Sequence, residues 1–359
     1  MLPAKKPHMQ ILIESFTVRK RVPLTISRGT SSGSTNLWIR LQADGVEGWG
    51  EASPFSTGNQ RQTVEAIADD LARATPVLLA LHPLQHQVIE SKLLEMSVCS
   101  AARAAIDVAL HDWLGKRTGL PLWQLWGLDL TRVGPTAVTV GISSPQNAVT
   151  RLQQWCAQQP VAAVKVKLGS PAGIAADQEM FAALLPEVPK GAKISVDANG
   201  GWSLEDALTM AHWLAERGVT YLEQPLAVDD DERLPPLFER SPLPIFIDES
   251  CYTSVDIYRL AHCVHGINIK LMKAGGLTEA KRMIDTASAC GLQVMFGCYS
   301  DSVIANTALS HLSPLAHHLD LDSHFNLKDD PFLGAALTLE GALMPSTLPG
   351  LGLSRHADA

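Results

Sequence analysis

Short apolar runs alternate with helix-length stretches over most of this chain, and only the opening part breaks that rhythm. Ile11 to Val18 and Leu37 to Leu41 read as strands. Between them, Ile26 to Ser34 is a Ser/Gly/Thr stretch, which predicts a mobile surface loop or lid. Asp44-Gly45 marks a turn ahead of the tight Gly48-Trp49-Gly50-Glu51 segment. Helical patterns follow from Gln62 to Arg73 and from Ala101 to Arg117. In the second, Ala102, Ile106, Ala109, Leu110 and Trp113 form a stripe at helical period. The expectation is an α+β capping module over residues 1–130.

From residue 136 the apolar runs end in polar residues. They are Thr136–Val140, Ala163–Lys167, Ile194–Asp197, Thr220–Glu223, Ile245–Asp248, Ile267–Lys270, Val294–Cys298 and Leu319–Asp322. Their centres lie ~20–30 residues apart, the spacing of a βα unit. Eight such units predict an α/β chain with a (β/α)8, TIM-like barrel over 131–330 rather than an open doubly wound sheet. No GxGxxG or Walker sequence opens a unit, which disfavours a nucleotide fold. The tail, 331–359, is expected to pack back on the first module.

Composition narrows the partners. The chain has 359 residues, 46% hydrophobic and 18% charged, an ordinary globular balance. A net charge of −8 argues against nucleic acid. No apolar run approaches the ~20 residues of a membrane span. Met1 to Gln10 carries Lys5 and Lys6 with no apolar core after them, so it does not read as a signal peptide. Cys99, Cys156, Cys251, Cys263, Cys290 and Cys298 form no CxxC pair. They read as reduced, mostly buried thiols of a cytoplasmic protein.

In a barrel of this kind the active site lies where the strands end. Three successive runs deliver Asp197, Glu223 and Asp248 to one rim. Converging carboxylates repel and raise one another's pKa, and a hard divalent cation relieves this. All-oxygen donors point to Mg²⁺, with Mn²⁺ as a substitute. The bland alternative is three separate salt-bridged acids. Lys165 and Lys167 are two apart on one strand and share a face, and Lys270 comes from four strands on. The Lys165 charge is expected to lower the pKa of Lys167, giving an accessible amine base. Lysines on opposite sides of a metal-bound carbon suit proton removal from one face and delivery to the other. Structural lysines paired to the acids are the alternative. A Schiff-base aldolase needs only one such lysine and no acid triad.

These residues carry a resemblance. Gly48-Trp-Gly-Glu-Ala52, Ala102 to Leu110, Lys165-Val-Lys167, Val196-Asp-Ala-Asn199, Glu223-Gln-Pro225, Asp248-Glu-Ser250 and Asn268 to Gly276 stand in order across nearly the whole chain. The chain resembles the enolase superfamily, muconate-lactonizing subgroup. The resemblance implies Mg²⁺ on Asp197, Glu223 and Asp248, holding a substrate carboxylate and stabilising an enolate. It implies Lys167 and Lys270 as the acid/base pair with Lys165 as modulator. Asn199 and Glu249 would support the ligands from behind. The mandelate-racemase branch uses a His–Asp pair on later strands, whereas run six here ends in Lys270.

Within the subgroup the choices are cycloisomerase, o-succinylbenzoate synthase, N-acylamino-acid racemase and dipeptide epimerase. Asp320-Leu-Asp322 resembles the dipeptide epimerase signature, two carboxylates to receive a free α-ammonium. Bonds from this pair to neighbouring backbone or lysines are the alternative. A small dipeptide is thus the expected partner. A homo-oligomer is compatible with the family but not indicated by any local feature. Arg28, the only charge in the 26–34 loop, suits a substrate carboxylate and suggests an L-Ala-D/L-Glu substrate in peptidoglycan recycling. A structural arginine is the alternative there. Cys298, ending run seven, is counted with the substrate contacts. Two departures stand out. Gly297-Cys-Tyr-Ser-Asp-Ser302 places Tyr299 and Asp301 where the subgroup often has Met and Glu. Ser323-His324 replace a common Gly-Pro, and a lone loop histidine such as His324 is expected to be solvated. A lyase of the same fold and a non-catalytic binding barrel are the remaining readings.

Overall fold

The structure, a computed structural model, describes residues 9–356. The segment read as lacking a signal peptide lies, up to residue 8, outside the described residues. Strands β1 (Gln10–Ile26), β2 (Gly29–Ala43) and β3 (Val46–Ala52) form an antiparallel sheet. The stretch expected as a polar loop is instead the end of the long β1–β2 hairpin. Only Ser27 and Arg28 turn, and Thr25↔Thr30 and Leu24↔Ser31 pair across. Of that stretch, Thr30 bonds across the strands, its hydroxyl 2.8 Å from that of Thr25.

A small hairpin of β4 (Phe55–Ser56) and β5 (Arg61–Gln62) leads to helices α1 (Val64–Leu79), α2 (His86–Glu95) and α3 (Ser100–Thr118). Two are longer than the periodicity predicted; Thr63 caps the start of α1 by accepting from Ala66 N, and the helix runs on past Arg73 to Leu79. Helix α3 lies directly on β3. A side chain at Gly48 or Gly50 would run into the carbonyls of Ala109 or Ala105. That contact explains an alanine-rich helix facing a Gly-Trp-Gly strand. Trp49 stacks on Trp38 with ring centroids 4.5 Å apart.

After the short helix α4 (Leu122–Leu125) come eight strands: β6 (Val138–Val140), β7 (Ala163–Lys167), β8 (Lys193–Asp197), β9 (Val219–Glu223), β10 (Ile245–Ile247), β11 (Gly266–Ile269), β12 (Gln293–Phe296) and β13 (His318–Leu319). They pair in sequential order in one parallel sheet. Its two ends meet where Ala137 N donates to Leu319 O at 2.8 Å. Helices α5 (Pro145–Gln158), α6 (Ile174–Leu184), α7 (Leu204–Ala215), α8 (Leu234–Arg240), α9 (Ser254–Leu260), α10 (Leu271–Ala274), α11 (Leu277–Ala289) and α12 (Val303–Ser310) follow the strands. Burial on both sheet faces makes the strands read as continuous apolar runs, Ile245-Phe-Ile247 being fully buried.

The tail returns to the first module. Phe332 packs edge-on against Trp38 and Trp49, and Leu351 N donates to Asp112 Oδ1 at 2.8 Å. Glu51, on β3, crosses to the barrel. It accepts from Ser302 N (2.9 Å), Ala305 N (3.1 Å) and the Ser302 hydroxyl (2.5 Å) at the start of α12, and from Asn36 Nδ2 (2.7 Å). All six cysteines are free thiols, but only Cys251 and Cys263 are buried, so "mostly buried" was too strong. No helix among the described residues is long and apolar enough to cross a membrane.

Candidate active site

Strands β8 and β9 end in Asp197 and Glu223, and Asp248 follows β10 by one residue. All three are at most 1% exposed, and one oxygen from each lies within 4.8 Å of the others. The backbone that brings them there is unusual. Asn199 (φ 45°) and Gln224 (φ 35°) occupy the left-handed region just past two of these strand ends. Gln224 repays its strain with its side chain, donating to Leu226 O and Ser250 Oγ (2.9 Å each) and accepting from Asp248 N (2.8 Å). Asn199 N and Nδ2 donate to Asp197 at 2.8 and 3.1 Å.

Buried lysines balance these acids. Lys167 Nζ lies 2.5 Å from Asp197 and Lys270 Nζ 2.6 Å from Asp248. Lys165 bridges Glu223 (2.5 Å) and Asp320 (2.7 Å). Lys273, which sequence reasoning missed, lies 2.5 Å from Asp248 and also donates to Cys251 O at 2.9 Å and Asn268 O at 3.2 Å. Its signal was a lysine inside the apolar Asn268–Gly276 stretch, three residues past Lys270. Lys167 on β7 and Lys270 after β11 stand four strands apart, on opposite sides of the ring.

Burial, then the neighbouring Asp197 charge, push Glu223 up to about 7, the mutual repulsion expected of crowded carboxylates. Asp248 goes the other way: burial would raise it, but Lys270 and Lys273 hold it well below the carboxylate range. Lys167 does not behave as its neighbour Lys165 suggested. Burial lowers it and the Lys165 charge lowers it further, yet Asp197, Glu223 and Asp320 together outweigh both and its net shift is upward. Lys270 is likewise held up, burial being outweighed by Asp248 and Glu223. The donor set fits a hard divalent cation. It offers oxygens only, from three buried carboxylates at one point, with the Asn268 Oδ1 beside Glu223 left without a partner.

A cavity of about 330 Å³ opens beside Lys167 and is lined by Cys298, Tyr299, Asp320 and Asp322. The last two do not share a strand face as expected, because β13 ends at Leu319. They converge from the following loop onto β6. Thr139 N donates to Asp322 at 2.6 Å, and the Thr139 hydroxyl to Asp320 at 3.2 Å. Burial and the Asp320 charge push Asp322 up to about 6. The Cys298 thiol donates to Asp320 O at 3.2 Å, and burial pushes its pKa up. Tyr299 covers Lys270, with the ammonium 4.5 Å from the ring centroid, and stacks on Phe55 of the capping module. His324 is not solvated: its ring packs 4.0 Å from Phe325, its Nδ1 is buried without a partner, and burial lowers it to about 3.

Arg28 reaches the site but is already engaged. Its guanidinium lies 2.7 Å from Glu249 and donates to Asn199 O at 2.8 Å. Ser27 donates to the same carbonyl at 2.9 Å. Glu249 is 3% exposed and also accepts from Asn199 Nδ2 at 3.2 Å. The hairpin tip is thus latched onto the strand ends that carry the acids, an arrangement that the structural reading of Arg28 describes.

Comparison with known proteins agrees with this arrangement. Residues 147–359 match the enolase C-terminal domain-like family, and residues 9–127 match the mandelate racemase / muconate lactonizing enzyme N-terminal domain. A hydrophobic dipeptide epimerase of a Flavobacteria bacterium is 41% identical over 96% of this chain and 97% of its own length. Another hydrophobic dipeptide epimerase, from Roseobacter litoralis, is 42% identical over 96% of this chain and 98% of its own. The solved dipeptide epimerase of Enterococcus faecalis V583, complexed with Mg and L-Leu-L-Tyr, superposes with a TM-score of 0.88 at 29% identity, covering 96% of this chain and 99% of that one.

Proposed function

This chain belongs to the enolase superfamily, with an N-terminal domain of the mandelate racemase / muconate lactonizing enzyme type, and from that premise we propose that it is an isomerase that epimerises dipeptides at the carboxy-terminal residue. The observation that carries the proposal is the pair of buried lysines, Lys167 and Lys270, reaching one carboxylate triad from opposite sides of the barrel. Asp197, Glu223 and Asp248 would hold Mg²⁺, which supplies positive charge to the substrate's α-carboxylate as the α-proton leaves. The lysine that is neutral in a given turnover removes that proton from one face, and the other, as an ammonium, delivers a proton to the opposite face, so configuration inverts. Lys165 keeps its charge between Glu223 and Asp320 and fixes both. Asp320 and Asp322 receive the α-ammonium of the first residue, and Cys298 holds the backbone of Asp320.

The side chain of the epimerised residue meets the hairpin. Arg28 is neutralised by Glu249, and the hairpin instead offers Val22, Pro23 and Leu24 to the cavity. This favours an apolar residue at the second position over the glutamate that Arg28 had suggested. The test is incubation with Mg²⁺ and dipeptides in D₂O. One deuterium should enter the second residue, with both configurations appearing. Metal binding without exchange in any dipeptide refutes the proposal.

A further inference from the structure

The cavity beside Asp322 continues into a mouth that carries two cations without counter-ions. Lys20 is 9% exposed and donates only to hydroxyls, Ser300 Oγ at 2.8 Å and Ser31 Oγ at 3.1 Å. Arg151, half-buried on α5, lies over the Trp155 ring at 3.9 Å and donates to Asn326 Oδ1 at 3.0 Å and Gln154 Oε1 at 3.5 Å. Neither makes an ion pair among the described residues, and both line the same cavity as Asp320, Asp322 and Ser323. Asn326 ties the two together, since it also bonds the backbone of Val22, two residues past Lys20 (3.1 Å from N, 2.7 Å to O).

Burial lowers the pKa of both cations; Asp322 opposes this at both, and the Cys298 thiol and Asp301 also oppose it at Lys20. Asp320 is not among the acids that act on either cation and already shares the Lys165 charge. Asp322 is thus the one carboxylate that both unpaired cations share before any ligand arrives, with Asp301 acting on Lys20 alone, and a ligand ammonium on Asp322 adds a further positive charge. A buried cation without an anion is unfavourable unless a ligand brings one. The ligand group nearest that ammonium is the side chain of the same residue.

We propose that Lys20 and Arg151 receive a carboxylate on the amino-terminal residue of the substrate, so that the preferred dipeptides begin with aspartate or glutamate. The proposal rests on the dipeptide reading above and names its first residue. In the test, full-length protein with Mg²⁺ in D₂O is given L-Glu-L-Leu, its neutral isostere L-Gln-L-Leu, and succinyl-L-Leu, which has the carboxylate but no ammonium. The expected result is a kcat/KM about tenfold higher for Glu-Leu than for Gln-Leu, carried by KM. That ratio should fall towards one in both Lys20→Met and Arg151→Gln and shrink with added salt. Equal turnover of Glu-Leu and Gln-Leu, or a ratio unmoved by both substitutions, overturns the proposal. Faster exchange of succinyl-L-Leu than of Glu-Leu also overturns it, because the ammonium would then be dispensable. If nothing exchanges, the epimerase reading itself fails. Calorimetric binding of Glu-Leu against Gln-Leu then still decides the carboxylate, equal affinity refuting it.

Discussion

Removing the charge of Arg28 separates two roles for this residue. In the structure it is a latch: it pairs at 2.7 Å with Glu249, which is 3% exposed, while its own side chain is 28% exposed. At that distance and an effective dielectric of ~20 the Coulomb attraction is ~6 kcal/mol. Desolvation of Glu249 and the partial exposure of Arg28 cancel much of it, leaving an expected loss of ~2–3 kcal/mol for Arg28→Met. With an unfolding entropy of ~2.1 cal/mol/K per residue over 359 residues, that loss lowers Tm by ~3–4 °C. Glu249→Gln removes the stranded charge, so the double variant should recover part of the loss, with a coupling energy of ~1–2 kcal/mol in the cycle. Differential scanning calorimetry of the four proteins reads this directly. A substrate-reading arginine predicts the opposite pattern. Unchanged Tm in Arg28→Met, together with a selective collapse of turnover for dipeptides ending in glutamate, would refute the latch.

Four further outcomes are expected. Lys167→Ala and Lys270→Ala should each lower epimerisation at least ~10³-fold, and each should still exchange the α-proton of one epimer but not of the other when followed by NMR in D₂O. Saturating Mg²⁺ at ~100 times its Kd should stabilise the protein by ~2.7 kcal/mol, and Asp248→Asn should abolish the calorimetric shift. Gly50→Ala forces a methyl into the Ala105 carbonyl, so helix α3 must move off β3, costing ~3 kcal/mol or more in urea denaturation. Glu51 is pushed up to about 8 by burial and then by Asp301, so the folded protein holds a proton that the unfolded chain releases near the ordinary carboxylate pKa. Stability from this group is full below the ordinary carboxylate value of 4.5, falls as pH rises, and is lost once pH passes about 8. The urea midpoint of Glu51→Gln should therefore fall less steeply over that interval, and parallel curves would exclude the assignment.

The barrel was legible because parallel strands buried on both faces leave a pure apolar run, and its acids stood out as the polar residue closing each run. Lys165, Lys167 and Lys270 were found for the same reason. The hairpin is masked because Ser and Thr favour loops locally, while here Thr25 and Thr30 bond across paired strands. Periodicity also failed at Asp320 and Asp322, where a two-residue strand left them in a loop held by Thr139. The net charge state of Lys167 depends on an acid thirty residues away in sequence, and the latch on Arg28 depends on Glu249. Neither contact leaves a trace in local pattern.

Glu51 has a bearing on how this architecture can diversify. Glu51 of the capping sheet accepts from the Ser302 and Ala305 amides where α12, a barrel helix, begins. A barrel expressed without its cap would leave those amides facing a void, and a cap borrowed from another protein would have to bring an acid to the same spot. The two parts are therefore not interchangeable modules.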